Sequence, residues 1–132
     1  HDKVGHNFRL PNLNAALGCA QMEKLPAFIE SKRRLAAKYA DAFKHLTGAR
    51  LFSEIDGSRS NYWLQALHLP DATEAELVEL MVLMEEQGLM ARRVWRPLHL
   101  LSPYASCPRG VLENTHYIYD QYINIPSSSG LA

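Results

Sequence analysis

The sequence predicts an α+β domain in which a small, mainly antiparallel sheet packs against helices on one side. Two observations support this prediction. The chain opens with two amphipathic helical stretches, and short extended stretches bounded by turn residues then alternate with helical ones. In order, the predicted elements are helix, helix, strand, strand, helix, strand, loop, helix and strand, with no internal repeat and no low-complexity tract.

The first predicted helix covers residues 13–25. Pro11 suits its first turn, and the side chains of Asn12 and Asn14 are placed to cap its free amide groups. Small residues dominate its middle, so another backbone can approach closely, and Cys19 among them is expected to be a buried thiol. Pro26 then marks a boundary or a bend.

The second predicted helix is longer and ends before Gly48, a residue typical of the position after a helix. Its apolar stripe consists of Phe28, Leu35, Tyr39, Ala42, Phe43 and Leu46. Its polar side consists of Glu30, Lys32, Arg33, Arg34, Lys38, Asp41 and Lys44. Because acidic residues lie among the basic ones, this side is predicted to face solvent rather than nucleic acid.

The remaining elements are short. Strands are predicted at residues 50–52, 61–69, 90–95 and 122–126, and helices at residues 74–87 and 111–120. Thr73 and Glu76 form a capping box at the start of the 74–87 helix, which ends at Gly88. Residues 96–103 form an irregular segment bounded by prolines, and the serines at 127–129 resemble the cap of a further helix.

Composition excludes several classes of protein. The 132 residues are 47% hydrophobic, and 14 basic residues balance 14 acidic ones, which argues against a polyanion-binding surface. No apolar run is long enough to span a membrane. Two cysteines are too few for a disulfide framework, and with the expected buried thiol they indicate a soluble protein of the cytoplasm.

The sequence also lacks the patterns of a metal site and of a serine hydrolase. The six histidines have no tight ligand spacing with supporting carboxylates or thiols, so no metal is expected. The serines at 127–129 are not part of a Gly-x-Ser-x-Gly turn.

The stretch from Gly5 to Gly18, with an Asn-x-Arg motif at Asn7 and Arg9, closely resembles a signature of the DegT/StrS family. This family comprises pyridoxal phosphate (PLP) sugar aminotransferases of the aspartate aminotransferase fold type. The similarity returns at residues 60–64, 93–99 and 124–128, so it covers nearly the whole chain in order. Within the family, the chain looks most like the branch that acts on nucleotide-linked 4-keto-6-deoxy sugars.

The resemblance implies a division of the chain. Family members are much longer, so residues 1–11 are expected to be a connector from a missing large domain, and residues 12–132 the C-terminal small domain without its final helix. The family places the lysine that forms the Schiff base with PLP, and the aspartate at the pyridine nitrogen, upstream of Gly5. This chain alone is therefore expected to hold no catalytic residue.

The resemblance also implies two groups of binding residues. Asn7 and Arg9 are expected to reach the PLP phosphate of the partner subunit, for which amide and guanidinium groups are suitable donors. Arg93, Trp95 and His99 are expected to contact the sugar nucleotide. From the residues alone, Asn7 could instead cap a turn, Trp95 could belong to the core and His99 could be a structural histidine.

Together these features predict part of a homodimeric, cytoplasmic PLP aminotransferase. It would transfer an amino group, with glutamate as donor, to a nucleotide-linked 4-keto-6-deoxy sugar for surface-glycan or nonulosonic-acid synthesis. The alternative is a non-catalytic domain that associates with itself through the small-residue helix at residues 13–20.

Overall fold

A computed structural model describes residues 2–132 of the chain. Its α-helices are α1 (Asn12–Phe43), α2 (Glu74–Glu86) and α3 (Glu113–Gln121). Its strands are β1 (Arg50–Leu51), β2 (Gln65–His68), β3 (Arg92–Arg93) and β4 (Tyr122–Ile125). Three short 3-10 turns cover Leu98–Leu100, Ser102–Tyr104 and Ser129–Leu131.

The four strands form one sheet in the order β1-β2-β4-β3, and every neighbouring pair is antiparallel. Leu67 of β2 lies directly opposite Ile123 of β4, so both side chains face the same side of the sheet. There they form the core with Ile125 and with Leu77 of α2. The residues of α1 and α2 that pack around this core are Tyr39, Phe43, Leu80, Met81 and Met84. The predicted α+β class is confirmed.

Helix α1 is continuous through Pro26, so the prediction of two separate helices is wrong. Pro26 lacks the N–H that would bond to the carbonyl of Met22, which normally weakens a helix. Met22 is exposed, however, and water can satisfy its free carbonyl. The proposed caps at the helix start are also wrong, because Asn12 and Asn14 lie inside the helix and no side chain caps it.

The two halves of α1 differ in burial. The buried residues of the helix are Ser31, Leu35 and Ala36, all in the second half, which packs against the sheet. In the first half Leu13, Leu17 and Met22 are exposed, and so is Cys19, which makes the prediction of a buried thiol wrong. The helix ends at Phe43, earlier than predicted, and Gly48 lies in a turn beyond it with φ of +87°.

The later elements match their predictions with shorter bounds. The capping box of Thr73 and Glu76 is confirmed, since the Thr73 hydroxyl accepts from the Glu76 N–H and the Glu76 carboxylate accepts from the Thr73 N–H. Gly88 follows α2 with φ of +73°. The strand predicted at 61–69 is limited to Gln65–His68, and the one at 90–95 to Arg92–Arg93.

Leu77 tests whether this small core stabilises the domain. We expect Leu77→Ala to lower the free energy of unfolding by about 2–5 kcal/mol, because it leaves a cavity where α2 meets the sheet. Val78→Ala, one residue further along the same helix, removes a half-exposed side chain and is the matched control. Urea denaturation of the two variants measures the difference; equal, small losses would contradict the assignment of Leu77 to the core.

Candidate functional site

The N-terminal segment, residues 2–11, is exposed along its whole described length. Residues 4–11 form no helix, strand or turn, so the segment has no turn that Asn7 would cap. The rings of His6 and Phe8 stack with centroids 5.2 Å apart. Asn7 and Arg9 are therefore presented to the surroundings on an extended piece of chain ahead of α1.

A cavity of about 570 Å³ lies between this segment and the loop that follows β3. Its lining includes Lys3 and Gly5 from the segment, and Trp95, Arg96, Leu98 and Tyr104 from the loop. The structure thus brings together two regions that the resemblance to the aminotransferase family singled out: the segment that carries Asn7 and Arg9, and the loop that carries Trp95.

Trp95 is paired with a second tryptophan that the sequence analysis did not select. The ring centroids of Trp63 and Trp95 are 5.6 Å apart with the planes tilted by 31°, and the Arg92 guanidinium lies 5.4 Å from the Trp95 ring centre. Both indoles are about 60% exposed. The prediction that Trp95 could belong to the core is wrong. Trp63 had been interpreted as part of a strand, although Asn61 two residues earlier is a turn signal.

The backbone at Trp63 is held by Lys32 of α1. The Lys32 ammonium donates to the carbonyl of Trp63 at 3.0 Å and to the carbonyl of Ser127 at 2.5 Å, and the Ser127 hydroxyl also donates to the Trp63 carbonyl at 3.2 Å. Asn61 accepts the Trp63 N–H through its side-chain oxygen at 3.0 Å. Partial burial lowers the pKa of Lys32. The prediction that Lys32 faces solvent is wrong.

Arg33 is also half-buried rather than solvated, and it holds the segment before β2. Its guanidinium forms a two-pronged pair with the Glu54 carboxylate at 2.7 and 3.0 Å and donates to the Ser60 carbonyl at 2.7 Å. The Ser60 N–H donates to Glu54 at 2.6 Å. The bond from Arg33, and next the bond from Ser60, lower the pKa of Glu54 to about 2.

Tyr62 lies within this network in an unusual backbone conformation. Its φ of +44° is in the left-handed region that non-glycine residues rarely occupy. The Tyr62 hydroxyl accepts the Glu54 N–H at 3.3 Å, and the Arg33 guanidinium lies 5.5 Å from the ring centre. These contacts stabilise the turn at Tyr62, which directly precedes Trp63 and β2.

Arg93 does not line the cavity beside Trp95. It is half-buried against α3, where its guanidinium donates to the Tyr119 carbonyl at 2.6 Å and lies 4.8 Å from the Tyr119 ring centre. Its Nε and one terminal nitrogen are buried without a partner among residues 2–132. Arg96 lines the cavity instead.

His99 lines a neighbouring cavity of about 430 Å³, whose wall also includes Leu98, Tyr104 and Cys107. Its ring lies 4.9 Å from that of His116. Burial, followed by the charges of His116 and Arg109, lowers the pKa of His99. Among the sequence-predicted substrate residues, Trp95 alone therefore faces the cavity next to the N-terminal segment.

The described residues contain neither a metal-binding cluster nor a membrane-spanning helix. No group of three or more histidine, cysteine, aspartate or glutamate side chains within residues 2–132 could hold a metal ion. In the same part of the chain, no helix has the length and hydropathy needed to cross a bilayer.

The fold is similar to that of solved aminotransferases. The chain superposes on PseC of Helicobacter pylori, an aminotransferase involved in pseudaminic acid biosynthesis, with a TM-score of 0.82 and 21% identity, covering 98% of this chain and 35% of PseC. It matches DesV of S. venezuelae with a TM-score of 0.80 and 22% identity over 100% of this chain and 35% of DesV. The fold is that of the small domain of fold type I PLP aminotransferases.

The sequence comparison gives the family. Residues 1–132 match the DegT/DnrJ/EryC1/StrS aminotransferase family, and the chain belongs to that family. It is 31% identical to GDP-perosamine synthase of Vibrio cholerae over 99% of this chain and 36% of that protein. It is 35% identical to EpsN of Bacillus subtilis, named as a PLP-dependent aminotransferase, over 75% of this chain and 25% of EpsN. The chain thus spans about a third or less of these relatives.

The Arg33–Glu54 pair predicts a specific pH dependence. A carboxyl whose pKa falls from 4.5 to about 2 on folding stabilises the fold above pH 4.5, and this contribution is lost as the pH falls towards 2. We therefore expect the difference in free energy of unfolding between the original chain and Glu54→Gln to be largest near neutral pH and to shrink across this window.

Urea denaturation at a series of pH values measures this difference. Glu86→Gln, which changes an exposed carboxylate at the end of α2, is the matched control and should give a small difference throughout. A Glu54→Gln difference that stays constant or grows as the pH falls would contradict a stabilising contribution from the ionised Glu54.

Proposed function

We propose that this chain is part of an enzyme that transfers an amino group from glutamate to a nucleotide-linked 4-keto-6-deoxy sugar, for surface-glycan or nonulosonic-acid synthesis. The observation that carries the proposal is the cavity between the N-terminal segment and the loop after β3, residues 95–104, which we call the Trp95 loop. The chain that forms this cavity matches the aminotransferase family from end to end. The names of the relatives support the substrate class, since they include GDP-perosamine synthases and a dTDP-4-dehydro-2,3,6-trideoxy-D-glucose 4-aminotransferase. The whole protein would act as a homodimer in the cytoplasm.

The N-terminal segment fits the phosphate of PLP. Asn7 offers an amide NH₂ and Arg9 a guanidinium, both exposed, and such groups are strong donors to phosphate oxygens. In the proposed enzyme, residues 1–11 connect a large domain to the small domain of residues 12–132, and Asn7 and Arg9 hold the phosphate of the partner subunit's cofactor. Bound PLP would supply the electron sink and the carrier for the amino group.

The lysines of this chain support a catalytic lysine located elsewhere in the whole protein. Lys3, Lys24, Lys38 and Lys44 are exposed, whereas a reactive amine requires a desolvated pocket. Lys32 is half-buried, but its ammonium is held by two backbone carbonyls. We propose that none of the five forms the covalent link to PLP.

The Trp95 loop supplies the proposed wall for the sugar nucleotide. The Trp95 ring offers a flat apolar surface, and Arg96 in the same cavity offers a guanidinium to the diphosphate. Arg93 and His99 are also proposed as substrate contacts, because buried nitrogen atoms of both side chains have no hydrogen-bond partner within residues 2–132.

Self-association is the second candidate function, and the first half of α1 favours it. Leu13 and Leu17 lie one turn apart on the same face of this half and expose 81% and 61% of their surface. Two neighbouring exposed leucines are typical of a contact surface. Analytical ultracentrifugation of the chain tests this function, and a monomer at all concentrations would exclude it.

The proposal predicts that the chain by itself transfers no amino group. Because the link to PLP would come from outside these residues, the purified chain with PLP, glutamate and a GDP-linked 4-keto-6-deoxy sugar should give no amino sugar. Mass spectrometry of the sugar nucleotide measures the outcome, with the full-length protein as the positive control. Turnover by the chain alone would contradict the assignment of the lysines.

Asn7 tests the phosphate contact. In the full-length protein, Asn7→Ala should weaken retention of PLP by about 1–3 kcal/mol, the range for a charged group that loses a donor. Dialysis followed by measurement of bound PLP determines the change. Asn114→Ala, which alters an exposed asparagine in α3, is the matched control. Equal PLP affinity in the Asn7 and Asn114 variants would exclude the phosphate role of Asn7.

A further inference from the structure

The pairing of β2 with β4 stops at a defined point. The last pair in register is Gln65 with Ile125, and the same register would next oppose Leu64 to Pro126 and Trp63 to Ser127. Pro126 has no N–H to donate to a neighbouring strand, so the ladder cannot continue through it. The carbonyls of Trp63 and Ser127 then need donors from another part of the chain.

Lys32 supplies those donors. Its ammonium bonds to both carbonyls and so joins the two strand ends to each other and to α1. Two further hydrogen bonds support this contact. The Ser127 hydroxyl donates to the Trp63 carbonyl, which joins the two strand ends directly. The Gln65 amide donates to the backbone carbonyl of Lys32 at 3.3 Å, which joins β2 to α1. A charged donor in a partly buried position makes stronger bonds than a neutral one.

Lys32 also affects the aromatic surface proposed for the substrate, because the Trp63 backbone that it binds carries an indole in contact with Trp95. The ring centroids of Trp63 and Trp95 are 5.6 Å apart. A third ring stacked between them would need a separation of about 9 Å, twice the shortest usual distance between stacked rings, so none can enter. The two indoles therefore form one surface, and a planar ligand group can stack only on its outer side. Within that surface Trp63 packs against one side of Trp95 and supports it.

We infer that Lys32 is a positioning residue for the sugar-nucleotide site: by fixing the Trp63 backbone it holds the Trp63–Trp95 pair in place. The inference rests on the proposed function, in which Trp95 contacts the substrate. Lys32 does not touch the ligand in this arrangement, so its loss should alter substrate affinity more than the chemical step.

The test uses the full-length protein with glutamate and a GDP-linked 4-keto-6-deoxy sugar. Lys32→Met keeps the length of the side chain and removes its donors. We expect it to raise KM for the sugar nucleotide about fivefold and to leave kcat nearly unchanged. This increase corresponds to the net free energy of about one hydrogen bond. Lys32→Arg, which retains donors, should restore part of the loss. Lys38→Met, at an exposed position of the same helix, is the control and should change neither constant.

A spectroscopic measurement detects the arrangement of the Trp63 and Trp95 indoles directly. Near-ultraviolet circular dichroism records the coupling between neighbouring indoles, and the difference between the original protein and Trp63→Phe defines the signal of this pair. Lys32→Met should lose most of the same signal, and Lys38→Met should keep it. If Lys32→Met does not fold, Ser127→Ala removes the neighbouring bond to the Trp63 carbonyl and should give a smaller change of the same sign, about twofold in KM.

Trp95→Ala separates the two levels of the proposal. If Trp95→Ala raises KM while Lys32→Met leaves KM and the indole signal unchanged, the positioning role is overturned and the proposed function stands. If Trp95→Ala leaves KM unchanged, the proposed wall is wrong and the inference is overturned with it. A fall in kcat alone in Lys32→Met would show a general structural effect and would also overturn the inference.

Discussion

The antiparallel pairing of β2 with β4 is the contact on which the rest of this domain depends. It places Leu67 and Ile123 side by side beneath α2, and these residues with Leu77 and Ile125 form the buried core. The outer strands β1 and β3 contribute only two residues each. The central pair must therefore carry most of the sheet, and the places where it ends determine where the irregular segments begin.

The second half of α1 holds the chain that lies beyond that pair. Lys32 donates to the carbonyl of Trp63, which follows Tyr62, and to the carbonyl of Ser127. Arg33 binds Glu54 and the carbonyl of Ser60, which precede Tyr62. Because the side chains of neighbouring residues on a helix point about 100° apart, Lys32 and Arg33 bind the segment before β2 from different directions. A segment without regular structure is thereby held firmly enough to keep Tyr62 at a positive φ.

Much of the fold could be predicted from the sequence because it depends on local chemistry. The capping box of Thr73 and Glu76, and the order along the chain of the strands and helices that follow α1, could be derived from spacing and turn residues within a few positions. The errors concern contacts between distant residues. Lys32 and Arg33 lie on a polar helix face that reads as solvated, and only the folded chain brings Trp63, Ser127 and Glu54 to them.

The residues of the candidate site also fall into those that could be predicted from the sequence and those that depend on contacts between distant residues. Asn7, Arg9 and Trp95 could be selected from the sequence through the resemblance to the aminotransferase family, and the structure adds that the N-terminal segment and the Trp95 loop share a cavity. Trp63 could not be selected, because its importance comes from a ring 32 positions away in the chain. Arg93 was selected as a substrate contact, yet its side chain packs against Tyr119 of α3, to which one guanidinium nitrogen donates, and it does not line this cavity.

The length of α1 links these two parts mechanically. From Pro11 to Lys32 an α-helix rises about 30 Å, so the helix is a rigid connection between the exposed N-terminal segment and the strand ends that Lys32 joins. Pro26 lies within this span without ending the helix. A shift of the helix would move the Asn7 segment and the Trp63 backbone together, since both are attached to it. The donors proposed for the cofactor phosphate and the aromatic surface proposed for the substrate are therefore both attached to the same helix.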